Sequence, residues 1–318
     1  MKGDKIMRKA SDYMKIHYTT MYNRNAKEDI KIAFLGDLHI SKLVNKEKTE
    51  YLNYQLQRQQ PDYICYLGDL VDTPQELKKE DKKEQLISVI EGSSKIAPTF
   101  AILGSHDFAN ESCEPPVEEE NKDFWEHLSS INNFHLLVDS TYFDGKIFIM
   151  GYKQKMDCYY NLVKEHKEDL NAFYQDLSKR KELLENLPYN VPKIGLLHSP
   201  EYARSTDNIN LLKEYDLLVS GHYHNGCIPA VLDDMYQGDK GLISPKKQLF
   251  PSYARGLQML PTRSQLLVNG GITKIQDCAP KVLQPLNSLC YQDLDIVTLT
   301  NDMDYLPPER VSEKVYTK

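Results

Sequence analysis

The sequence predicts an α/β fold built as a four-layer sandwich, helix on sheet on sheet on helix, and three observations carry that prediction. Short apolar runs bounded by turn residues recur at 31–36, 62–68, 98–104, 193–198 and 216–221. Polar, helix-favouring stretches lie between or beside them, at about 47–60, 80–95, 121–131 and 160–187. Later strand-like runs at 146–152, 266–269 and 295–299 call for a second sheet.

Each element has a local reason. Near-continuous apolar runs are what strands covered on both faces look like, and ligands in such α/β sheets collect beyond the carboxyl ends of the strands. In 160–187, Leu162, Leu170, Phe173, Leu177 and Leu184 fall roughly on one helical face. Asp144-Gly145 ahead of 146–152 is a hairpin-type turn signal. The run 113–122, with two prolines and four glutamates, reads as an exposed acidic loop. The domain plan is an N-terminal extension over 1–30, a single domain over 31–305 and, after Leu306-Pro307-Pro308, an irregular tail over 306–318.

The whole-chain numbers bound the function. With 318 residues there is enough chain for a substantial core. Lys and Arg total 39 against 46 Asp and Glu, a net charge of −7, which argues against a protein whose main task is gripping long nucleic acid. The six cysteines form no Cys-x-x-Cys pair, and Cys65, inside an apolar run, reads as a small buried hydrophobe. The first thirty residues contain no apolar run of signal-peptide or membrane-span length, so a soluble, cytoplasmic protein is expected.

Five motifs follow the strand-like runs in a fixed order: Asp37-Leu38-His39, Gly68-Asp69-Leu70-Val71-Asp72, Gly104-Ser105-His106-Asp107, His198 and Gly221-His222-Tyr223-His224. Carboxylates mixed with imidazoles suit a pair of divalent first-row metals better than calcium, which prefers oxygen alone, or structural zinc, which prefers thiolate. Asp37 and His39 can offer one metal an oxygen and a nitrogen. Asp69 is the natural bridge, because its two oxygens can hold two cations, and His222 and His224 can face different metals. Two such cations, about 3.5–4 Å apart, polarise a phosphoryl group and lower the pKa of a shared water for in-line attack. His106 can then supply the leaving group's proton, with Asp72 orienting its ring through the other nitrogen.

This ordered set resembles the calcineurin-like metallophosphoesterases, whose pattern is Asp-x-His, Gly-Asp-x-x-Asp, Gly-Asn-His-Asp or Glu, a lone His, then Gly-His-x-His. The likeness spans 31 to about 270. It implies an αββα sandwich of two mixed sheets in which Asp37, His39, Asp69 and His224 hold one divalent metal and Asp69, His198 and His222 the other. His106 is the implied acid and Asp72 its partner, with manganese, iron or zinc as the metals. The segment Gly241 to Pro245, with Leu249-Phe250-Pro251, Tyr253 and Gly256, is similar to a bacterial branch acting on lipid-like or nucleotide diesters. That implies a small or lipid-like phosphodiester substrate and admits peripheral contact with a membrane. Two departures stand out: Ser105 replaces the ligand Asn, and Asn225-Gly226-Cys227 replaces the usual Gly-Gly-Gln.

Blander readings apply elsewhere. His17, His127, His135 and His166 lie outside every motif and read as structural or surface residues. Asp107 reads as a turn cap and Cys227 as an inert thiol. Lys240, Lys246, Lys247, Arg255 and Arg263 face only Asp239 within 236–263, a positive balance explained by a solvated loop or by steering of an anionic group. A cyclic-nucleotide phosphodiesterase, a nuclease of the DNA-repair type and a catalytically silent scaffold are the alternatives to the lead reading.

Overall fold

The computed structural model describes residues 9–42, 44, 46–108, 121–154, 190–204, 212–236, 238–245, 248–262, 264–274, 281 and 284–317. The expected helix at 160–187 and the acidic loop up to residue 120 lie outside the described residues.

Two mixed sheets form the body. The first contains β1 (Tyr13–Tyr22), β2 (Ile30–Leu35), β3 (Tyr63–Tyr66), β4 (Thr99–Ala101), β5 (Phe134–Leu136), β12 (Gln292–Thr300) and β13 (Glu309–Tyr316), in the order β13-β1-β12-β2-β3-β4-β5. The second contains β6 (Ser140–Phe143), β7 (Phe148–Gly151), β8 (Lys193–Leu197), β9 (Leu217–Ser220), β10 (Gly256–Met259) and β11 (Gln265–Val268), in the order β10-β11-β9-β8-β7-β6. The Asp144-Gly145 signal is met by the antiparallel β6–β7 hairpin.

Period-two alternation distributes the apolar side chains among three cores. In β2, Ile32 and Phe34 point between the sheets, whereas Ala33 and Leu35 point toward the helices. The inter-sheet layer sets Phe34, Cys65 and Phe100 with Ile149, Ile194, Leu196, Leu217 and Leu267 of the second sheet. The outer face of the first sheet is covered by α1 (Lys46–Gln59), α2 (Glu80–Ser94) and α4 (Lys122–Ser129), through Leu52 and Leu56, Val89 and Ile90, and Phe124 and Leu128. Beyond the second sheet, Ala203 of the single-turn helix Glu201–Arg204 packs with Leu212, Tyr215 and Leu218. Cys65 is fully buried, and burial pushes its thiol pKa far up, as a structural cysteine requires.

The termini depart from expectation. Residues 13–22, placed in an extension, form a strand paired in parallel with β12 from Met14↔Gln292 to Tyr22↔Thr300. The tail, read as irregular, contains β13, antiparallel to β1. Its eight residues are mostly exposed because β13 is an edge strand, so the burial signature that betrays a strand in sequence is missing. For β1 a signal existed: Met14 and Ile16 are buried and alternate with polar neighbours. No helix among the described residues is long and apolar enough to cross a membrane.

Since β1 joins β12 to β13, deleting residues 1–22 should abolish cooperative thermal unfolding. A truncated protein that melts within a few degrees of the full chain would show β1 to be accessory.

Candidate metal centre

The motif residues converge where the central strands end. Asp37 and His39 follow β2, Asp69 and Asp72 follow β3, and Ser105 and His106 open the one-turn α3 (Ser105–Phe108) after β4. His198 follows β8, and His222 and His224 follow β9. Carrying side chains back over the sheet ends demands unusual backbone: Asp37, His39, Asp69, His222 and His224 all have positive φ, from 46° to 66°. Asp and His tolerate this region better than most residues, yet each such residue still costs about 1–3 kcal/mol, and strain of this kind gathers at functional sites.

Two glycines are required by close approach. A Cβ on Gly68, whose φ is +87°, would lie 2.6 Å from the Gly104 nitrogen and 2.8 Å from His198 Nδ1. One on Gly104 would press into Asp69 Oδ1 and lie 2.8 Å from His198 Cε1.

The ligand-bearing atoms form two principal groups, Asp37 with His39 and His224, and Asp69 with His198 and His222, each within 4.8 Å. His39 and His224 have ring centroids 5.3 Å apart, and His198 and His222 5.0 Å apart. Asp69 lies between the pairs, but not with one oxygen for each. Its Oδ1 accepts the His106 N–H at 2.8 Å, and its Oδ2 lies 3.6 Å from His39 Nε2 and 3.0 Å from His198 Nε2. Asp69 Oδ2 thus faces both imidazole groups, while Oδ1 also accepts a main-chain N–H.

Partners behind the imidazoles fix their inward nitrogens. His198 Nδ1 faces the Leu67 carbonyl at 2.6 Å and His224 Nδ1 the Thr273 carbonyl at 2.7 Å, so each donates Nδ1–H and turns Nε2 inward as a lone pair. His222 is set by its own N–H, which reaches Asp37 Oδ1 at 3.1 Å and Oδ2 at 3.2 Å. Asp72 Oδ1 lies 3.4 Å from His39 Nδ1. Asp72 also reaches His106, through its main-chain carbonyl 2.6 Å from Nδ1, whereas the sequence reading assigned that bond to the side chain. The turn after β3 curls back toward α3 and presents this carbonyl first. His106 also comes within 4.8 Å of His39 and Asp69, so it borders the first group.

Electrostatics follow from burial. Burial alone would raise the Asp69 pKa, but His198, His106 and His39 hold it well below the usual carboxylate range. Without a cation, burial works against a charged His198 too, yet Asp69 outweighs it and lifts the imidazole to about 9, so a cation bound there would displace the Nε2 proton and leave the lone pair for ligation. His224, with Asp37 opposing only in part, is pushed down by burial to about 4 and is neutral at pH 7, as a metal ligand must be. The pocket thus holds carboxylate charge in a dry place and draws positive charge toward it.

A pair of cations fits these residues. Both ring nitrogens of His39, Asp69 Oδ2 and Ser105 Oγ are buried and make no hydrogen bond among the described residues. Buried polar atoms without partners are rare in folded proteins, and four on adjoining side chains are what a cation site supplies. Asp107 is structural, as expected, although it does more than cap a turn. Its Oδ1 accepts from Leu70 and Val71 at 2.8 and 3.1 Å and its Oδ2 from Gly104 at 2.8 Å, clamping two ligand loops together. Burial and the charge of Asp69 nevertheless raise its pKa to about 7.

The sequence reading missed other supports. Thr273 binds the Asp37 carbonyl through its N–H at 2.9 Å and the Leu38 carbonyl through its hydroxyl at 2.9 Å, besides holding His224. The Tyr223 hydroxyl donates to Glu201, tying the His222 loop to the His198 loop. Buried Gln154 binds both the N–H and the carbonyl of Ser199. Asn269-Gly270-Gly271 after a strand was a turn signal that pointed to the Thr273 loop; the isolated Gln154 gave none. Of the basic segment, Arg255 is paired with Asp233 at 2.6 Å, and Lys246, Lys247 and Arg263 lie outside the described residues. Asp233 stands just ahead of the interval whose charge was counted.

A sandwich of two mixed sheets that gathers Asp and His groups at its strand ends has the layout of a metal-binding protein. The family model for calcineurin-like phosphoesterases matches residues 30–226, and the chain belongs to that family. An uncharacterised metallophosphoesterase of Campylobacter jejuni is 28% identical over 205 residues, covering 64% of this chain and 46% of the relative. One from Aquifex aeolicus is 24% identical over 244 residues, covering 74% of this chain and 80% of the relative. This chain thus spans less than half of the Campylobacter protein. Among solved structures, a dimetal phosphatase from Danio rerio aligns with a TM-score of 0.48 and 9% identity, over 86% of this chain and 99% of that one.

Asp69→Ala should remove both cations from the purified protein by elemental analysis, whereas Asp107→Asn should leave metal content intact and lower the melting temperature. Full retention of metal by Asp69→Ala would remove it from the bridging position. Ser105→Asn should tighten the weaker of two manganese-binding steps, since a carboxamide reaches further than a hydroxyl; coincident titration curves would exclude Ser105 from the ligand set.

Proposed function

We propose that the chain is a dinuclear metal-dependent phosphodiesterase that cleaves a small or lipid-like diester with His106 as general acid. The observation that carries this reading is the placement of one Asp69 oxygen between the two imidazole pairs, its other oxygen tied to the His106 main chain. Asp37, His39, Asp69 and His224 would hold one cation, and Asp69, His198, His222 and Ser105 the other. Manganese, iron and zinc all suit this donor set.

When bound, the cations polarise the phosphoryl group and supply a nucleophile at neutral pH. The chain's residues do the rest. Asp69 sets the spacing of the two ligand groups and keeps its charge. Leu67 and Thr273 carbonyls hold His198 and His224 in the tautomer whose Nε2 lone pair faces inward. His106, whose Nδ1–H is held by the Asp72 carbonyl, is only half-buried and turns Nε2 toward the site. As an imidazolium it donates that proton to the departing oxygen. The diester preference draws support from the resemblance of the segment 241–256 to diester-cleaving relatives.

The test is hydrolysis of paired aryl phosphodiesters and monoesters by metal-stripped protein with manganese titrated back. Diester turnover should rise with metal, and absence of turnover on either ester despite measured metal uptake would overturn the reading in favour of a silent scaffold. His106→Ala should lower kcat by about 10²–10⁴ with unchanged metal content, and by more for an alkyl than for a nitrophenyl leaving group. Equal losses for both leaving groups would refute the acid role.

A further inference from the structure

Beside the metal centre a cleft of about 1150 Å³ opens between the two sheets. Strand register fixes its position. Lys15 and His17 of β1 pair with Asp293 and Asp295 of β12, and Asp295 pairs with Phe34 of β2, so this wall belongs to the sheet end from which Asp37 emerges. On the facing wall, Val268 of β11 pairs with Ser220, two residues before His222. Asn225, the neighbour of His224, lines the cleft, as does Gly270, whose neighbour Gly271 stands against Asp37.

The lining carries charges of both signs: several are set in pairs, and Asp234 and Asp239 add further carboxylates. Asp233 holds Lys15 at 2.5 Å and Arg255 at 2.6 Å, Asp293 holds His17 at 2.8 Å, and Asp295 holds Arg310 at 2.8 Å. An anion entering here would meet carboxylates, and a cation would meet Lys15, Arg255 and Arg310. A hydroxyl both donates and accepts, so a polyol can bond to either member of each pair without disturbing their balance. A free donor awaits it: Arg255 Nη1 is buried and makes no hydrogen bond among the described residues. The aromatic wall of Tyr236 and Tyr253 suits the apolar faces of a sugar ring.

Backbone strain marks the same place. Asn225 and Tyr253 both have φ of 57°, and for a residue as bulky as Tyr that conformation is an outlier. The Tyr253 N–H is held by Asp239 Oδ2 at 2.8 Å, which fixes the strained turn at the cleft wall.

We propose that this cleft binds a neutral, hydroxyl-rich group of the sugar or polyol type, the alcohol half of the diester cleaved beside it. The inference deepens the phosphodiesterase reading and rests on it for the bond cleaved. In manganese-loaded protein, kcat/KM is to be compared for two 4-nitrophenyl phosphodiesters, one bearing methyl and the other glucose through its primary hydroxyl. The glucose diester should be favoured by roughly tenfold or more, a modest expectation for a site that bonds substrate hydroxyls.

Ser252→Trp, which puts an indole into the cleft, and Arg255→Gln, which removes the free guanidinium donor, should each bring that ratio to about one. The second variant serves if the first does not fold. Turnover without glucose preference in the wild type would overturn the cleft assignment and leave the phosphodiesterase reading standing. So would a preference that survives both substitutions. If neither ester is cleaved despite metal uptake, the phosphodiesterase reading falls, and saturation transfer from protein to methyl glucoside then decides the cleft alone. Transfer that is present in the wild type and lost in the folded variant supports the assignment; no transfer to the wild type overturns it.

Discussion

A single buried carboxylate organises this molecule. Asp69 is fully buried, and an isolated charge in such a place is prohibitive unless groups of opposite sign or hydrogen-bond donors surround it. Here one oxygen takes a main-chain N–H and the other faces imidazoles from two different sheets. The two layers of the sandwich are therefore joined chemically at one point as well as by their apolar core. Gly68 and Gly104 exist at this junction because any side chain there would displace the groups around Asp69.

The imidazoles themselves are held by main chain. Carbonyls of Leu67 and Asp72, in the loop after β3, and of Thr273, after β11, set the orientation of His198, His106 and His224. A carbonyl at the end of a hydrogen-bonded strand moves far less than a side chain, so precision at the metal centre is inherited from the sheets. It also leaves the carboxylates for ligation. Asp107 is the exception that supports the rule: a side chain used as a loop clamp, accepting three main-chain N–H bonds, in a position where no carbonyl could serve.

What could be read beforehand follows the same physics. Central strands were legible because burial on both faces demands unbroken apolar runs, and the ligands because Asp and His at strand ends have few structural uses. The edge strand β13 was not, since its side chains meet water on most sides and carry no pattern. β1 carried an alternation that went unread beside a basic N-terminus. Supports such as Gln154 and the Asp72 carbonyl were invisible in principle, because a main-chain acceptor has no residue identity and a lone Gln has no spacing. The site was thus legible where side-chain chemistry defines it and opaque where backbone geometry does.

Charge ties the metal centre to its surroundings. On the phosphodiesterase reading, a chain of net charge −7 must generate positive potential locally for an anionic ester, and among the described residues Lys15, Arg255 and Arg310 are already paired with Asp233 and Asp295. Bound cations would supply that potential at the position where the ester would sit. This separates two tasks that a basic pocket would merge. On the proposed reading, phosphate would be selected by metal and the group attached to it by hydrogen bonding in the cleft. A protein arranged this way would discriminate among esters by their alcohols, and its specificity would change through the cleft without disturbing Asp69.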